Sequence, residues 1–313
     1  MHGCFRCREV ACILINFHKT KPMNQYLATS LLLIASIIWG TAFVVQTIGM
    51  ETMGPHTFTG VRLILGGSII FPIAMFINFK KQNFLSLEKI ILIIFMSVSL
   101  WTGAWLQQIA LVYTDVANVA FLTALYVPLV PLVLLVLFKK KLPFLLIISV
   151  LFCIFGTYLL IGRNTEIGKF GDLLAMIGAF FWSFHIIFLS KAGEMHLEPF
   201  FTATSHILLA GLIGLIVAFI FEKPTLENIT GGLPELFYAG LISVGIGFTL
   251  QTLAQTYAPP TQAALVLSME TVFASLAAYF VLGQVLGYYS LLGCLFIILG
   301  VLISETSKFY YRA

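Results

Sequence analysis

The chain has 313 residues, of which 60% are hydrophobic and only 10% are charged, and its formal net charge is +4. Soluble globular domains carry about 25% charged residues, so this composition excludes that class and predicts an integral membrane protein. The apolar segments are continuous and do not alternate with polar residues. This pattern excludes a transmembrane β-barrel and predicts an all-α membrane fold.

The first 22 residues differ from everything that follows. Their zinc-type residues are Cys4, Cys7, Cys12 and His18. Two thiolates separated by two residues and followed by an imidazole can close a tetrahedral site. The alternative, which we favour, is that residues 1–22 form a disordered or misannotated extension before Met23, because they offer too little apolar surface for a core. We therefore predict no metal site and no cofactor.

Ten apolar segments of about 20 residues, the length that crosses a hydrocarbon core of ~30 Å, follow without overlap. The predicted spans are Leu27 to Ile48, Thr57 to Phe79, Lys89 to Val112, Val116 to Phe138, Pro143 to Ile161, Leu173 to Ser190, Pro199 to Phe221, Pro234 to Tyr257, Thr261 to Leu282 and Tyr288 to Ser304. Pro128 and Pro131 interrupt the hydrogen-bond ladder of the fourth span and predict a bend there.

Basic residues are concentrated on one side of these spans. The richer side carries Lys19, Lys21, Lys80, Lys81, Lys89, Lys139, Lys140, Lys141, Lys191, Lys308 and Arg312, whereas the other side carries Arg163, Lys169 and Lys223. Cytoplasmic loops are enriched in Lys and Arg. This imbalance predicts that both termini are cytoplasmic in an inner (plasma) membrane. Because the basic residues report topology, they give no support to nucleic-acid binding.

An internal repeat links the two halves of the chain. A shift of 144 residues pairs identical residues, and a shift of 143 pairs Trp39 with Trp182. The most informative matches at 144 are Gln107 with Gln251, Tyr113 with Tyr257, Pro55 with Pro199, Gly67 with Gly211 and Gly156 with Gly300. Each half contains five spans, an odd number, so the second half crosses the membrane in the opposite sense. We predict repeats at 23–165 and 166–313, an arrangement typical of secondary transporters with a site near the midplane.

Four motifs carry a family resemblance. They are IIWGTAFV, GPHTFTGVRLILGG, GDLLAMIGAFFWSFHIIF and SMETVFASLAAYFVLGQVLG, in that order. With this order and spacing, the chain resembles the EamA family of the drug/metabolite transporter superfamily from about Met23 to Ser304. The resemblance implies ten helices in two inverted five-helix repeats that move small metabolites, often amino acids. Thr271 and Gln284 depart from the proline and glutamate that are common in the family.

Two charged side chains, Arg62 and Glu270, fall well inside predicted spans, where a charge is costly and suggests function. Arg62 has two interpretations: an attractor for an anionic group of a substrate, or a side chain that reaches the headgroups or caps a neighbouring helix. The repeat pairs Arg62 with His206. We expect His206 to occupy the mirror position, with a backbone-bonded neutral imidazole as the alternative.

The fourth and ninth spans give a second constellation. The repeat pairs Asn118 with Gln262 and Tyr126 with Glu270, and eight residues of helix return to within about 80° of the same face. We therefore expect both pairs to line one cavity. Glu270 lies about 14 Å into its span, so it must face water, pair with a cation or hold a proton. Packing against a neighbouring helix, with a protonated carboxyl group, is the alternative.

Aromatic and amide residues complete the candidate site. Trp105 and Gln108 continue an i, i+4, i+7 stripe from Trp101, and Gln251 with Gln255 forms an i, i+4 pair. Trp39, the repeat partner of Trp182, joins the list. Aromatic planes with a few amides suit a small polar organic molecule. The alternative for the tryptophans of the third span is an interfacial belt.

These features predict a secondary transporter, an exporter or exchanger, that moves amino acids or related polar solutes by alternating access. Proton coupling is left open, as are the driving ion and the oligomeric state. The alternatives are a channel, which would line a continuous pore with polar rings, and a membrane scaffold. An intramembrane enzyme is not predicted, because HExxH, GxSxG and paired intramembrane aspartates are all missing from the sequence.

Overall fold

A computed structural model describes residues 25–78, 85–139, 143–161, 170–283 and 287–310, and all regular structure within these ranges is helical. This confirms the predicted all-α membrane class. The extension at residues 1–22, with its four zinc-type residues, lies outside the described residues. So do Lys80, Lys81, Lys140, Lys141, Arg163, Lys169 and Gln284.

The described chain forms the ten apolar segments that the sequence predicts. They are α1 Gln25–Gly49, α2 Pro55–Asn78, α3 Leu87–Tyr113, α4 Val116–Val136, α5 Phe144–Ile161, α6 Phe170–Glu194, α7 Pro199–Phe221, α8 Leu233–Gln255, α9 Pro260–Leu282 and α10 Tyr288–Tyr310. Eight of these are long and apolar enough to cross a membrane; the apolar parts of α5 and α10, Phe144–Leu159 and Leu291–Ser304, are shorter. A short helix, Leu226–Gly231, lies between α7 and α8.

The helix ends differ from the predicted spans chiefly at α6 and α10. α6 continues to Glu194, four residues beyond the predicted Ser190, and α10 continues to Tyr310. At the end of α6, Lys191 donates to Glu194 at 3.0 Å, an i, i+3 pair that supports a polar last turn. Hydropathy marks where a segment is apolar, whereas the helix itself continues into the polar boundary.

The fourth helix of each repeat is broken at the same place. α4 consists of α4a, Val116–Thr123, and α4b, Tyr126–Val136. Pro128 has no N–H to donate to the Ala124 carbonyl, which instead accepts from Val127 N at 2.9 Å. The predicted bend is therefore present, one turn before Pro128.

The matching break in α9 separates α9a, Pro260–Leu267, from α9b, Met269–Leu282, without a proline nearby. Side-chain hydroxyls bond the backbone there instead. Ser268 Oγ donates to the Leu265 carbonyl at 2.7 Å, and Thr271 Oγ1 donates to the Ser268 carbonyl at 2.8 Å. Ser and Thr hydroxyls that bond back in this way often bend helices. In the family that the motifs resemble, proline is common at the position of Thr271. The helix is broken here even though Thr271 is not a proline.

Equivalent helices of the two repeats contact each other in an antiparallel sense. A methyl group added to Gly67 in α2 would lie 2.7 Å from Leu208 in α7, and one added to Gly211 in α7 would lie 2.9 Å from Ile64 in α2. These contacts are reciprocal, because the repeat pairs Gly67 with Gly211 and Ile64 with Leu208. α5 and α10 repeat the arrangement at Gly156 and Gly300. The halves are therefore related by a two-fold pseudo-symmetry with inverted direction.

The first helix of each repeat packs on the third helix of the other. Trp39 of α1 lies against Gly247 of α8, and Trp182 of α6 lies against Gly103 of α3. The two glycines are repeat partners. Part of α8, Tyr238–Gly247, is a π-helix, a feature that frequently marks functional sites. These crossings surround the centre of the molecule.

Candidate substrate cavity

A cavity lies where the two repeats meet, bounded by α1, α2, α3, α4, α6, α8 and α9. Most of its lining residues form repeat pairs. The pairs are Trp39 and Trp182, Phe43 and Ile186, Ala104 and Phe248, Gln107 and Gln251, Thr123 and Leu267, and Tyr126 and Glu270. The cavity therefore lies on the pseudo-two-fold axis, at the position where inverted-repeat transporters bind substrate.

Glu270 and Tyr126 meet across the axis. Tyr126 Oη donates to Glu270 Oε1 at 2.9 Å, so the repeat partners contact each other directly. Each residue begins the second half of a broken helix, at the first position of α4b and the second position of α9b. A helix N-terminus favours a negative group, so the α9 break places a carboxylate where the backbone dipoles stabilise it. The Glu270 side chain faces the cavity.

Arg62 of α2 lines the same cavity and is only 5% exposed. Its guanidinium carbon lies 5.7 Å from the centre of the Phe58 ring, and its Nε has no hydrogen-bond partner among the described residues. Within the described part of the chain, no ion pair joins Arg62 to Glu270. One cavity thus contains an arginine and a glutamate side chain that are not paired with each other.

Amide and hydroxyl groups add further unused hydrogen-bonding capacity. Gln46 Oε1, Thr123 Oγ1 and Gln251 Oε1 are buried in cavity-lining residues and have no hydrogen-bond partner among the described residues. A buried polar atom without a partner costs free energy. These oxygens are therefore suited to accept hydrogen bonds from a polar solute or from water in the cavity, and Arg62 Nε is suited to donate one.

Aromatic rings form the walls of the cavity. Phe248 stacks on Trp182 with ring centres 6.0 Å apart and contacts Trp39 at 4.9 Å. Both indole N–H groups are used: Trp182 Nε1 donates to Gln107 Oε1 at 3.1 Å, and Trp39 Nε1 donates to the Ser243 carbonyl at 3.0 Å. The rings are thus held in place by bonds that link the first helix of one repeat to the third helix of the other.

The other predicted site residues lie away from the cavity. Asn118 is buried near the start of α4, where its Nδ2 donates to Thr114 Oγ1 at 3.5 Å, and Gln262 is buried near the start of α9. Eight residues of helix separate each from Tyr126 or Glu270, a rise of about 12 Å along the axis. Asn118 and Gln262 share a helix face with Tyr126 and Glu270. The cavity, however, does not extend far enough along α4 and α9 to include Asn118 and Gln262.

Trp105 and Gln108 also lie outside the cavity. Trp105 Nε1 donates to His56 Nδ1 at 2.6 Å near the start of α2, and Trp105 stacks on Trp101. Gln108 Nε2 donates to the Gln46 carbonyl at 3.1 Å, a contact between α3 and α1. The i, i+4, i+7 stripe is therefore used in packing between helices: Trp105 and Gln108 bond helices of the first repeat, and Trp101 packs against α7 of the second.

His206 is fully buried and is not a lining residue of the cavity; its ring contacts His185, which in turn packs edge-on against Phe248. Its Nδ1 is 2.5 Å from the Thr202 carbonyl and its Nε2 is 3.3 Å from His185 Nε2. A carbonyl only accepts, so Nδ1 carries the proton; in a neutral His206 ring, Nε2 then accepts from His185. The bond to the Thr202 carbonyl matches the alternative that the sequence offered for His206, a neutral imidazole bonded to the backbone.

Sequence reasoning missed Gln46, Gln107 and Trp182 as cavity residues. The repeat already contained the signal for two of them, since Gln107 is the partner of Gln251 and Trp182 is the partner of Trp39. Gln46 follows Trp39 and Phe43 in an i, i+4, i+7 stripe on α1. Within the described residues, no group of three or more His, Cys, Asp or Glu side chains could bind a metal ion.

The fold and the cavity define an inverted-repeat membrane protein with a central polar site, the architecture of secondary transporters. The sequence profile of the EamA-like transporter family matches residues 27–162 and again residues 169–306. The chain therefore belongs to the EamA-like transporter family, as its motifs predicted.

Relatives agree with this assignment over most of the chain. An uncharacterized transporter from Archaeoglobus fulgidus is 25% identical over 275 residues, which cover 87% of this chain and 83% of the relative. The uncharacterized transporter YoaV of Bacillus subtilis is 24% identical over 274 residues, covering 85% and 92%. A chain in a solved crystal structure superposes with a TM-score of 0.74 at 16% identity, covering 89% of this chain and 98% of that one, which supports the fold.

Proposed function

We propose that the protein is a secondary transporter, an exporter or exchanger, that moves small zwitterionic metabolites such as amino acids across the inner membrane by alternating access. No covalent step belongs to this cycle. The family and its relatives support transport as the class of activity. The cavity supports the substrate class.

The observation that carries the proposal is the presence of Arg62 and Glu270 in one cavity without an ion pair between them. An isolated charge at membrane depth is costly, so each needs a counter-charge during the cycle. A zwitterion supplies both, with its carboxylate at Arg62 and its ammonium group at Glu270. Charge-assisted hydrogen bonds of this kind are about twice as strong as neutral ones.

The walls of the cavity agree with a small organic solute, because sites for such solutes are lined mainly by apolar and aromatic side chains with a few polar groups. Trp39, Trp182 and Phe248 offer apolar contact area for the body of the solute, while Gln251 offers an unused amide oxygen. Glu270 can also exchange the ammonium group for a proton, which would couple transport to a proton gradient.

For the topology, we propose that both termini are cytoplasmic and that the loop between α5 and α6 faces outward. The asymmetry of Lys and Arg supports this orientation. A membrane-impermeant thiol reagent applied to intact cells is expected to label a Thr165→Cys variant and to spare a Lys140→Cys variant. Labelling in the reverse pattern would contradict the orientation.

Counterflow in proteoliposomes tests the substrate class. Liposomes loaded with an α-amino acid are assayed for uptake of the labelled amino acid, with its decarboxylated amine and its deaminated acid as competitors. We expect saturable counterflow, and half-maximal competition by either single-charge analogue at concentrations at least about 10-fold higher. Equal competition by amine and zwitterion would contradict the role of Arg62. Flux that does not saturate would indicate a channel.

A further inference from the structure

Arg62 carries the positive charge of the cavity, and no acidic side chain of the described residues forms an ion pair with it. The side chain is only 5% exposed, and its Nε has no hydrogen-bond partner among those residues. The Phe58 ring, 5.7 Å from the guanidinium carbon, offsets part of the cost of this charge through a cation–π contact. An uncompensated charge at membrane depth is expensive, so the guanidinium also needs an anion.

Two carboxylates lie on the cavity or on α2, and each is bonded to another group. Glu270 accepts from Tyr126 Oη at 2.9 Å. Glu222, at the end of α7, accepts from the His56 N–H at 2.9 Å and from the Thr57 N–H at 2.7 Å, and it thereby caps the first turn of α2. Within the described part of the chain, neither carboxylate bonds the guanidinium, so we look for its anion in solution.

We propose that Arg62 binds chloride, or another small monovalent anion, whenever the cavity contains no solute carboxylate. A guanidinium has five N–H donors and no acceptor, so an anion suits it as a ligand. One negative charge balances Arg62, whereas a divalent anion would leave the cavity with excess negative charge. The inference rests on the proposed function, because the solute carboxylate and the inorganic anion share one guanidinium.

The shared site gives opposite effects for two classes of solute. A zwitterionic amino acid brings its own carboxylate and displaces the anion from Arg62, so the anion competes with it. The decarboxylated amine has no carboxylate, and the bound anion removes the repulsion between Arg62 and the ammonium group. The anion therefore weakens binding of the amino acid and strengthens binding of the amine.

Counterflow in proteoliposomes measures both effects in the wild-type protein, without any variant. Uptake of an α-amino acid and of its decarboxylated amine is followed at constant ionic strength, with a bulky sulfonate such as HEPES exchanged stepwise for chloride. Chloride at about 150 mM is expected to raise the half-saturation concentration of the amino acid about 2- to 10-fold. We expect it to lower the half-saturation concentration of the amine by a similar factor.

Three variants assign these effects to Arg62. Arg62→Gln is expected to remove both chloride effects, because an amide carries no charge, whereas Arg62→Lys keeps the cation and should keep the direction of each effect. Lys223→Gln is the matched control: Lys223 is exposed just after the end of α7, so the loss of its charge should leave both effects in place. A change in the same direction for amino acid and amine, or no change in either, would overturn the anion site.

Thermal unfolding in detergent tests the anion site without transport. An anion that binds only the folded protein stabilises it, so chloride should raise the midpoint of unfolding above its value in the sulfonate by about 1–3 °C in the wild-type protein and in Lys223→Gln. Folded Arg62→Gln should show no such rise, and a rise that persists would contradict the inference. A chloride effect that depends on Arg62, in a protein without amino-acid counterflow, would support the anion site and reject the proposed substrate class.

Discussion

The internal repeat has different consequences in two regions of the molecule, the crossing of α2 with α7 and the central cavity. At the crossing, Gly67 meets Leu208 and Gly211 meets Ile64, so both repeat partners make the same contact. In the cavity, Arg62 faces the open space, whereas its partner His206 is bonded to His185 and Thr202. The repeat is kept where helices pack, whereas in the cavity it is kept at the tryptophan and glutamine pairs and broken at the charged residues Arg62 and Glu270.

This contrast separates the residues that build the fold from those that define the chemistry. Close packing of helices in a membrane needs small residues, and such a requirement is the same in both repeats. A dipolar substrate in contrast needs different groups at its two ends, so identical partners would not serve. Departures from symmetry therefore indicate the binding residues. The following predictions test this division.

The largest effect is expected at Arg62. Arg62→Gln removes the cation that would bind a carboxylate, so the half-saturation concentration for an α-amino acid should rise about 10- to 100-fold, as for loss of a charge-assisted hydrogen bond. Arg62→Lys keeps the charge and should retain part of the uptake. His206→Gln, the matched change in the other repeat, should affect the two faces of the membrane differently. Equal loss for amines and amino acids, with poor expression, would mark Arg62 as structural.

Smaller and symmetric effects are expected at the crossing. Gly67→Ala and Gly211→Ala each place a methyl group under 3.0 Å from the other helix, so each should destabilise the folded protein by about 1–3 kcal/mol. Thermal unfolding in detergent would measure both, with Gly287→Ala as the control because nothing lies within 4 Å of its added methyl group. A large difference between the two variants would contradict equivalent packing.

The smallest effect is expected at Tyr126. Tyr126→Phe removes the 2.9 Å hydrogen bond to Glu270 while keeping the ring, so half-saturation should change by about 3- to 10-fold with stability nearly constant. Counterflow at several substrate concentrations would measure it. Complete loss of transport in a well-folded Phe variant would show that the hydroxyl does more than orient the Glu270 carboxylate.

The positions of the helices were predictable because the length and apolarity of a span are local properties of the sequence. Pro128 also predicted the bend in α4, since a missing N–H acts on the residue four positions earlier. The break in α9 was not predicted: it depends on hydroxyl bonds of Ser268 and Thr271, and such residues also occur in straight helices.

The cavity was predictable only in part. Glu270, Arg62, Tyr126, Gln251 and Trp39 line it, as the cost of burying polar groups and the repeat had suggested. Asn118 and Gln262 share a helix face with two of them, but periodicity gives the direction of a side chain and not its depth. Trp105 was expected at the cavity and instead bonds His56, a contact between helices that no single segment reveals.

The most direct test of the central claim is counterflow by a Glu270→Gln variant between pH 5 and 8, beside the wild-type protein. Gln keeps the shape and the hydrogen bond to Tyr126 but removes the negative charge. If Glu270 binds the ammonium group of the substrate or exchanges it for a proton, the folded variant should lose transport, or lose the pH dependence of transport. Wild-type rates across this pH range in a well-folded variant would contradict the account and leave Glu270 as a packing residue.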